Sequence, residues 1–244
     1  MSGWLAIAGL GPGDAALITP EVSAALAQAT DVLGYTPYVA RVAAREGLSL
    51  HASDNREELG RARHALRLAA AGGRVVIVSS GDPGVFAMAA ALFEVLEEEP
   101  EWVALDVRVL PGITAMLAAA AKAGAPLGHD FCAINLSDNL KPWALIEKRL
   151  RLAAEADFAM AFYNPRSKAR PGGFGRALDV LREVCGPERL VIFAHAVSSK
   201  DERIVTVTLA EATAEMADMR TMVLVGNSAT RKAGRFVYTP RSAG

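Results

Sequence analysis

Cysteine is scarce: the 244 residues contain two, Cys132 and Cys185, far apart and without a Cys-x-x-Cys spacing. A disulfide framework, a zinc site and an iron–sulfur cluster are therefore not expected. An excess of charge of either sign is also absent, with 26 Lys and Arg against 27 Asp and Glu. That balance supports neither a nucleic-acid partner nor attachment to an anionic membrane surface. Long apolar runs are missing too, because Gly, Pro or a charge interrupts each one before it could span a bilayer. No basic segment precedes a hydrophobic core in the first residues, so no secretory leader is expected. A reduced, cytoplasmic protein is the expectation. What the sequence does have is 52% hydrophobic residues, enough for one large α/β domain or two smaller ones.

Short β-rich runs alternate with Ala/Leu-rich stretches. "WLAIAGL", "DVLGY", "RVVIVSS" and "LDVRVL" read as strands in the first half; "FCAINL", "DFAMAFY", "LVIFAHA", "RIVTVTL" and "TMVLVG" follow in the second. Helical stretches lie between them, among them "TPEVSAALAQA", "REELGRARHALRLAAA", "PGVFAMAAALFEVLEEE" and "TAMLAAAAKAG". Runs apolar on both faces suit a parallel sheet covered by helices. Thr19 before Pro20 reads as a helix cap, and Gly72–Gly73 as a helix end. "AGAPLGHD", residues 123–130, breaks the pattern. It places a boundary between an N-terminal α/β domain, 1–122, and a C-terminal one, 123–244. Only "VSSKDE" separates "LVIFAHA" from "RIVTVTL", too little for a helical crossover. An antiparallel pair, and hence a mixed second sheet, follows.

Three Gly/Pro loops close strands in the first half. "GLGPGD", residues 9–14, looks at first like a dinucleotide fingerprint. Asp14 stands where the third glycine should pack, and its charge would repel a pyrophosphate; Pro12 removes an N–H that a phosphate cradle would use. Asp31 lies at a suitable distance for a ribose-binding acid but precedes the second strand. No phosphate-binding P-loop pattern occurs. "SSGDPGVFAMA", residues 79–89, follows a strand and opens a helix; "LPGITA", residues 110–115, does the same. Each alone reads equally well as a tight turn. If the sheet is parallel, all three gather at its carboxyl edge, where open α/β sheets bind ligands.

In this order and spacing, "GLGPGDAALIT", "SSGDPGVFAMA" and "LPGITA" resemble the tetrapyrrole (class III) methyltransferases, and the resemblance runs along nearly the whole chain. It implies a homodimer of two α/β domains, with S-adenosylmethionine in the cleft between them and S-adenosylhomocysteine as product. By position it implies a cofactor site of Gly11, Pro12, Gly81, Asp82, Pro83, Phe86, Thr114, Ala115, Tyr163 and Asn164. "VLGYTPYV", "HDFCAINLSD" and "FYNPRSKAR" are similar to one branch, which methylates C17 of precorrin-3B and contracts the ring toward a corrin. Its counterpart acts on the cobalt-bound intermediate. Another tetrapyrrole methyltransferase, a non-catalytic tetrapyrrole carrier and a dinucleotide-dependent oxidoreductase are the competing readings.

The resemblance implies that ring contraction removes a proton from a hydroxyl at C20, which calls for a general base. Ser137, Asp138 and His129 are the candidates, with Asp130 beside them. Helix capping is the structural alternative for Ser137 and Asp138, and a solvated turn for His129. A substrate rich in acetate and propionate groups calls for Arg and Lys, which "NPRSKAR" supplies as Arg166, Lys168 and Arg170; an exposed solubilising loop is the alternative. His51, His64 and His195 have no acidic or Cys partner at ligand spacing and read as structural.

Overall fold

The apolar runs of the first half become the strands of a five-stranded parallel sheet. In the computed structural model, which describes residues 3–54 and 57–242, the chain divides into two units, Met1–Thr114 and Ala115–Gly244. The first unit holds β1 (Trp4–Gly9), α1 (Pro20–Gln28), β2 (Asp31–Tyr35), α2 (Thr36–Val39) and β3 (Ser49–Ser53). It continues with α3 (Glu58–Ala70), β4 (Arg74–Ser79), α4 (Met88–Glu98) and β5 (Asp106–Leu110). The strand order is β3-β2-β4-β1-β5, and every neighbouring pair is parallel.

Both sheet faces are covered, which is why these strands read as unbroken apolar runs rather than alternating ones. Leu5, Ile7, Val75 and Ile77 pack on Ala62, Leu66, Leu92 and Val95 of α3 and α4. Ala6, Ala8, Val76 and Val78 turn the other way, toward Val22 and Val39. Each fully buried Leu, Ile or Val contributes about 1.5–3 kcal/mol. Thr19 caps α1 as expected, its Oγ accepting from Val22 N at 3.3 Å. Gly72, at φ +94°, turns the chain out of α3. The expected start of that helix, Arg56, lies outside the described residues. β3 was not expected from its sequence, because "SLHAS" is an edge strand with mostly exposed side chains. α4 starts at Met88, five residues later than its sequence suggests. The turn around Asp82 and the left-handed backbone of Phe86, φ +53°, hold off the helix.

The second unit contains α5 (Ala115–Ala123), β6 (Gly124–Ala125), β7 (Phe131–Asn135), α6 (Trp143–Glu155), β8 (Ala159–Tyr163) and α7 (Gly173–Val184). β9 (Leu190–His195), β10 (Arg203–Thr208), β11 (Thr221–Val225), β12 (Arg231–Ala233) and β13 (Phe236–Tyr238) complete it. Its main sheet runs β10-β9-β11-β8-β7 and is mixed: β7 and β8 are parallel, while β9, β10 and β11 pair antiparallel. The expected β9–β10 hairpin is therefore present. Phe162, Phe174, Ile146, Leu150 and Leu178 form its core. The division between units falls at Thr114/Ala115, and residues 123–130 lie within the second unit. Gly124–Ala125 pairs with β13, and Thr239 donates to Pro126 O at 2.6 Å.

Candidate functional site

β4, β1 and β5 are adjacent and parallel, so the three Gly/Pro loops emerge side by side at one sheet edge. They are joined to one another. Gly11 and Gly81 exchange backbone hydrogen bonds, 3.2 and 2.9 Å, and both have positive φ, +67° and +63°. A side chain at either would strain that backbone. The third loop closes on the first two: a Cβ on Gly112 would stand 2.2 Å from Gly81 O and 2.8 Å from Gly9 Cα.

Asp82 fastens the second and third loops. One carboxylate oxygen accepts from Gly84 N at 2.8 Å, forming the turn before α4; the other accepts from Gly112 N at 3.0 Å. Pro83 continues that turn, its carbonyl accepting from Ala89 N. Phe86 is about half exposed, 48%, on its left-handed backbone. Thr114 is buried. Asp14 caps a short 3-10 turn through Ala16 N, at 2.9 Å, instead of meeting a phosphate. The first loop also has a partner that the sequence pattern does not reveal. Arg41 donates to Leu10 O, Gly11 O and Gly13 O.

In the second unit, the parallel pair β7–β8 brings another group together at its carboxyl end. The Asn164 amide donates to Asn135 Oδ1 at 3.1 Å, and the same oxygen accepts from Ser137 N at 2.9 Å. Asn164 has φ +51°, which turns the chain sharply out of β8. Tyr163 Oη accepts from Met116 N at 3.4 Å, which sets it beside Ala115 at the start of α5. Asp138 is 4.0 Å from Arg170 Nε, and Arg170 also donates to Asn164 O. Ser137, Asp138, Asn164 and Arg170 thus form one polar group, with Tyr163 at the end of the neighbouring strand. Asn135 is the hub of that group and was not singled out from the sequence, where it reads only as a residue within the strand "FCAINL".

Other candidates stand apart. His129 precedes β7, so the strand, about 3.3 Å per residue, separates it from Ser137 and Asp138. Its nearest acid is the exposed Asp130, at 3.8 Å. Arg166 donates to Pro171 O at 3.3 Å, and Lys168 is exposed. His51 and His195 have acidic partners that local spacing does not reveal: Asp31 of β2 at 2.9 Å and Asp218, in the loop before β11, at 3.3 Å. His64 stacks edge-on against His51. Burial, with His51 and Arg67 nearby, lowers its pKa. Among the described residues, no group of three or more His, Cys, Asp or Glu is placed to hold a metal ion, and no helix is long and apolar enough to cross a membrane.

Glycine-rich loops clasped at the carboxyl edge of a parallel sheet, with a mixed-sheet unit following, define a class. Residues 5–213 match the family Tetrapyrrole (Corrin/Porphyrin) Methylases, and the chain belongs to that family. It is 53% identical to the Precorrin-3B C(17)-methyltransferase of Sinorhizobium sp, over 99% of this chain and 97% of that protein. It is 40% identical to a Probable cobalt-factor III C(17)-methyltransferase of Salmonella typhimurium, over 97% of this chain and 98% of that one. The crystal structure of the methyltransferase CobJ matches with a TM-score of 0.97 at 69% identity, covering 98% of this chain and all of that chain, 100%.

Proposed function

We propose that this chain transfers a methyl group from S-adenosylmethionine to C17 of precorrin-3B and contracts the macrocycle to precorrin-4, a step of cobalamin biosynthesis. The observation that carries this reading is the end-to-end match at 53% identity to a precorrin-3B C17-methyltransferase. Residues 9–14, 79–89 and 110–115 contain no Lys or Arg, and their charged side chains, Asp14 and Asp82, are both acids. Gly81, Asp82, Pro83, Phe86, Thr114 and Ala115 would hold the donor. Gly11 and Pro12 would border it on the tetrapyrrole side.

When bound, the donor supplies an electrophilic methyl group to an in-line displacement. The chain has to hold methyl and carbon in register and keep water away. The tetrapyrrole π-system provides the electron pair, so no Ser or Cys nucleophile is needed. Asp138, with Ser137 beside it, takes the proton from the C20 hydroxyl as the ring contracts. Arg166 and Lys168 receive substrate carboxylates; Arg170, only 15% exposed and bonded to Asn164 O, orders that loop and faces Asp138. His129, at the far end of β7, is the weaker candidate base. The chain acts as a homodimer in the cytoplasm, a reading supported by its two free cysteines and by the family resemblance.

Calorimetry tests the cofactor half of this reading. S-adenosylhomocysteine should bind at about one molecule per chain and NAD should not; tight NAD binding without a response to S-adenosylhomocysteine contradicts it. A second reading, the same reaction on the cobalt-bound intermediate, is favoured by the 40% identity to the Salmonella protein. Parallel turnover of metal-free and cobalt-bound substrate separates the two.

A further inference from the structure

One arginine supports the Gly–Pro–Gly loop. Arg41 lies two residues beyond α2, in a stretch, "GYTPYVAR", that the proposed chemistry leaves without a role. Its guanidinium donates to Gly11 O and Gly13 O, both at 3.1 Å, and to Leu10 O. A single planar fork thus takes three carbonyls from four consecutive residues, an arrangement that an ammonium cannot reproduce. The side chain is half-buried. No carboxylate pairs with Arg41 among the described residues; the titratable group beside it is the Tyr38 phenol. Burial accordingly lowers the Arg41 pKa, with Tyr38 opposing that shift. Tyr38 is itself packed edge-on against Tyr35, their ring centres 5.3 Å apart. A partly desolvated cation left without an acid is costly, and the three loop carbonyls compensate it.

We infer that Arg41 is a positioning residue of the methyl-transfer site: it fixes the Leu10–Gly13 backbone for the tetrapyrrole and places an unneutralised positive charge beneath the loop that receives a polyanionic substrate. This rests on the function proposed above. The Arg41 bonds fall on the loop after β1, which borders the tetrapyrrole in the reading above, whereas Asp82 fastens the loops after β4 and β5 to each other. Geometry and charge are separable. Arg41→Lys keeps the charge and loses the fork; Arg41→Ala loses both.

Steady-state kinetics with precorrin-3B, calorimetry with S-adenosylhomocysteine and a melting curve test this on the full chain. Arg41→Ala should bind S-adenosylhomocysteine within about threefold of the parent, with tetrapyrrole kcat/KM reduced roughly 10–100-fold, the loss expected from a misplaced reacting partner. Arg41→Lys should recover KM but not kcat. Methylguanidinium added to Arg41→Ala should raise kcat. Wild-type kcat in Arg41→Lys would overturn the inference, even if Arg41→Ala fails to fold. Parallel loss of melting temperature and S-adenosylhomocysteine affinity in both variants would also overturn it, leaving a purely structural clamp. A parent chain that binds S-adenosylhomocysteine but turns over no tetrapyrrole would instead remove the functional reading beneath it.

Discussion

Asp82 uses its two oxygens on two different loops, Gly84 N on its own and Gly112 N on the next. A carboxylate in that position fixes the shape of the loops proposed to hold the donor. Asp82→Ala should therefore lower both stability and S-adenosylhomocysteine affinity, each by about 1.5–3 kcal/mol. Asp82→Asn, which keeps an acceptor, should lose less. Thermal melts and calorimetry on the same samples check this, and unchanged affinity at reduced stability would make Asp82 a strut alone. Asp157 gives a pH prediction. Burial alone would raise its pKa, but hydrogen bonds from the Ser228 hydroxyl, Arg189 and Ser228 N outweigh burial and hold it below its ordinary 3.8. A depressed acid stabilises the fold above its unfolded pKa, and that contribution is lost as pH falls through the folded value. Asp157→Asn should thus be less stable than the parent at neutral pH, with the difference shrinking below about pH 4. Equal stability at pH 7 would contradict the assignment. Residues of this kind were only partly legible in the sequence. Asp82 stands out because it lies in a Gly/Pro turn. Arg41 does not, because its partners are backbone carbonyls about 30 positions away. The acids beside His51 and His195 come from other elements, so no local spacing reveals them.

At the scale of elements, strand order does the gathering. Parallel pairing of β1 with β4 and β5 makes neighbours of loops about 70 and 30 residues apart. The loops were legible as Gly/Pro interruptions after apolar runs, and the parallel sheet as runs apolar on both faces. Their mutual bonds were not, because Gly11–Gly81 pairing and the seat of Gly112 depend on register. Gly112→Ala tests that seat, since its Cβ would meet Gly81 O at 2.2 Å. We expect a loss of roughly 1–3 kcal/mol, about 2–4 °C of melting temperature per kcal/mol, together with weakened S-adenosylhomocysteine binding. Gly60→Ala, where a Cβ would meet nothing within 4 Å, should melt no lower and is the control. β7 makes the complementary point in the second unit. Its carboxyl end gathers Ser137 and Asp138 with Asn164 and Arg170, while His129 stays at the amino end. The sequence places His129 and Asp138 in one decapeptide, and a five-residue strand separates them. Asp138→Asn should therefore impair contraction by about 10²–10⁴-fold, the range for a lost general base, and keep S-adenosylhomocysteine affinity. His129→Ala should leave contraction near the parent rate. A wild-type contraction rate in Asp138→Asn removes Asp138 from the chemistry.

At the scale of the molecule, two α/β units with different sheet types account for the organisation that the sequence suggested. The small sheet of β12, β13 and β6 escaped notice because its strands are only two or three residues long. The family follows from residues 5–213, and the particular reaction is the proposal that unites the loops, the polar group after β7 and the basic loop at 166–170. Its central claim is that one chain both methylates C17 and contracts the ring. The most direct test incubates the purified chain with precorrin-3B and S-adenosylmethionine carrying a carbon-13 methyl group, and examines the product by NMR. The account predicts a single labelled methyl on C17 of a ring-contracted macrocycle, formed in step with S-adenosylhomocysteine. A label at another carbon, or an uncontracted ring carrying the label at C17, would contradict it.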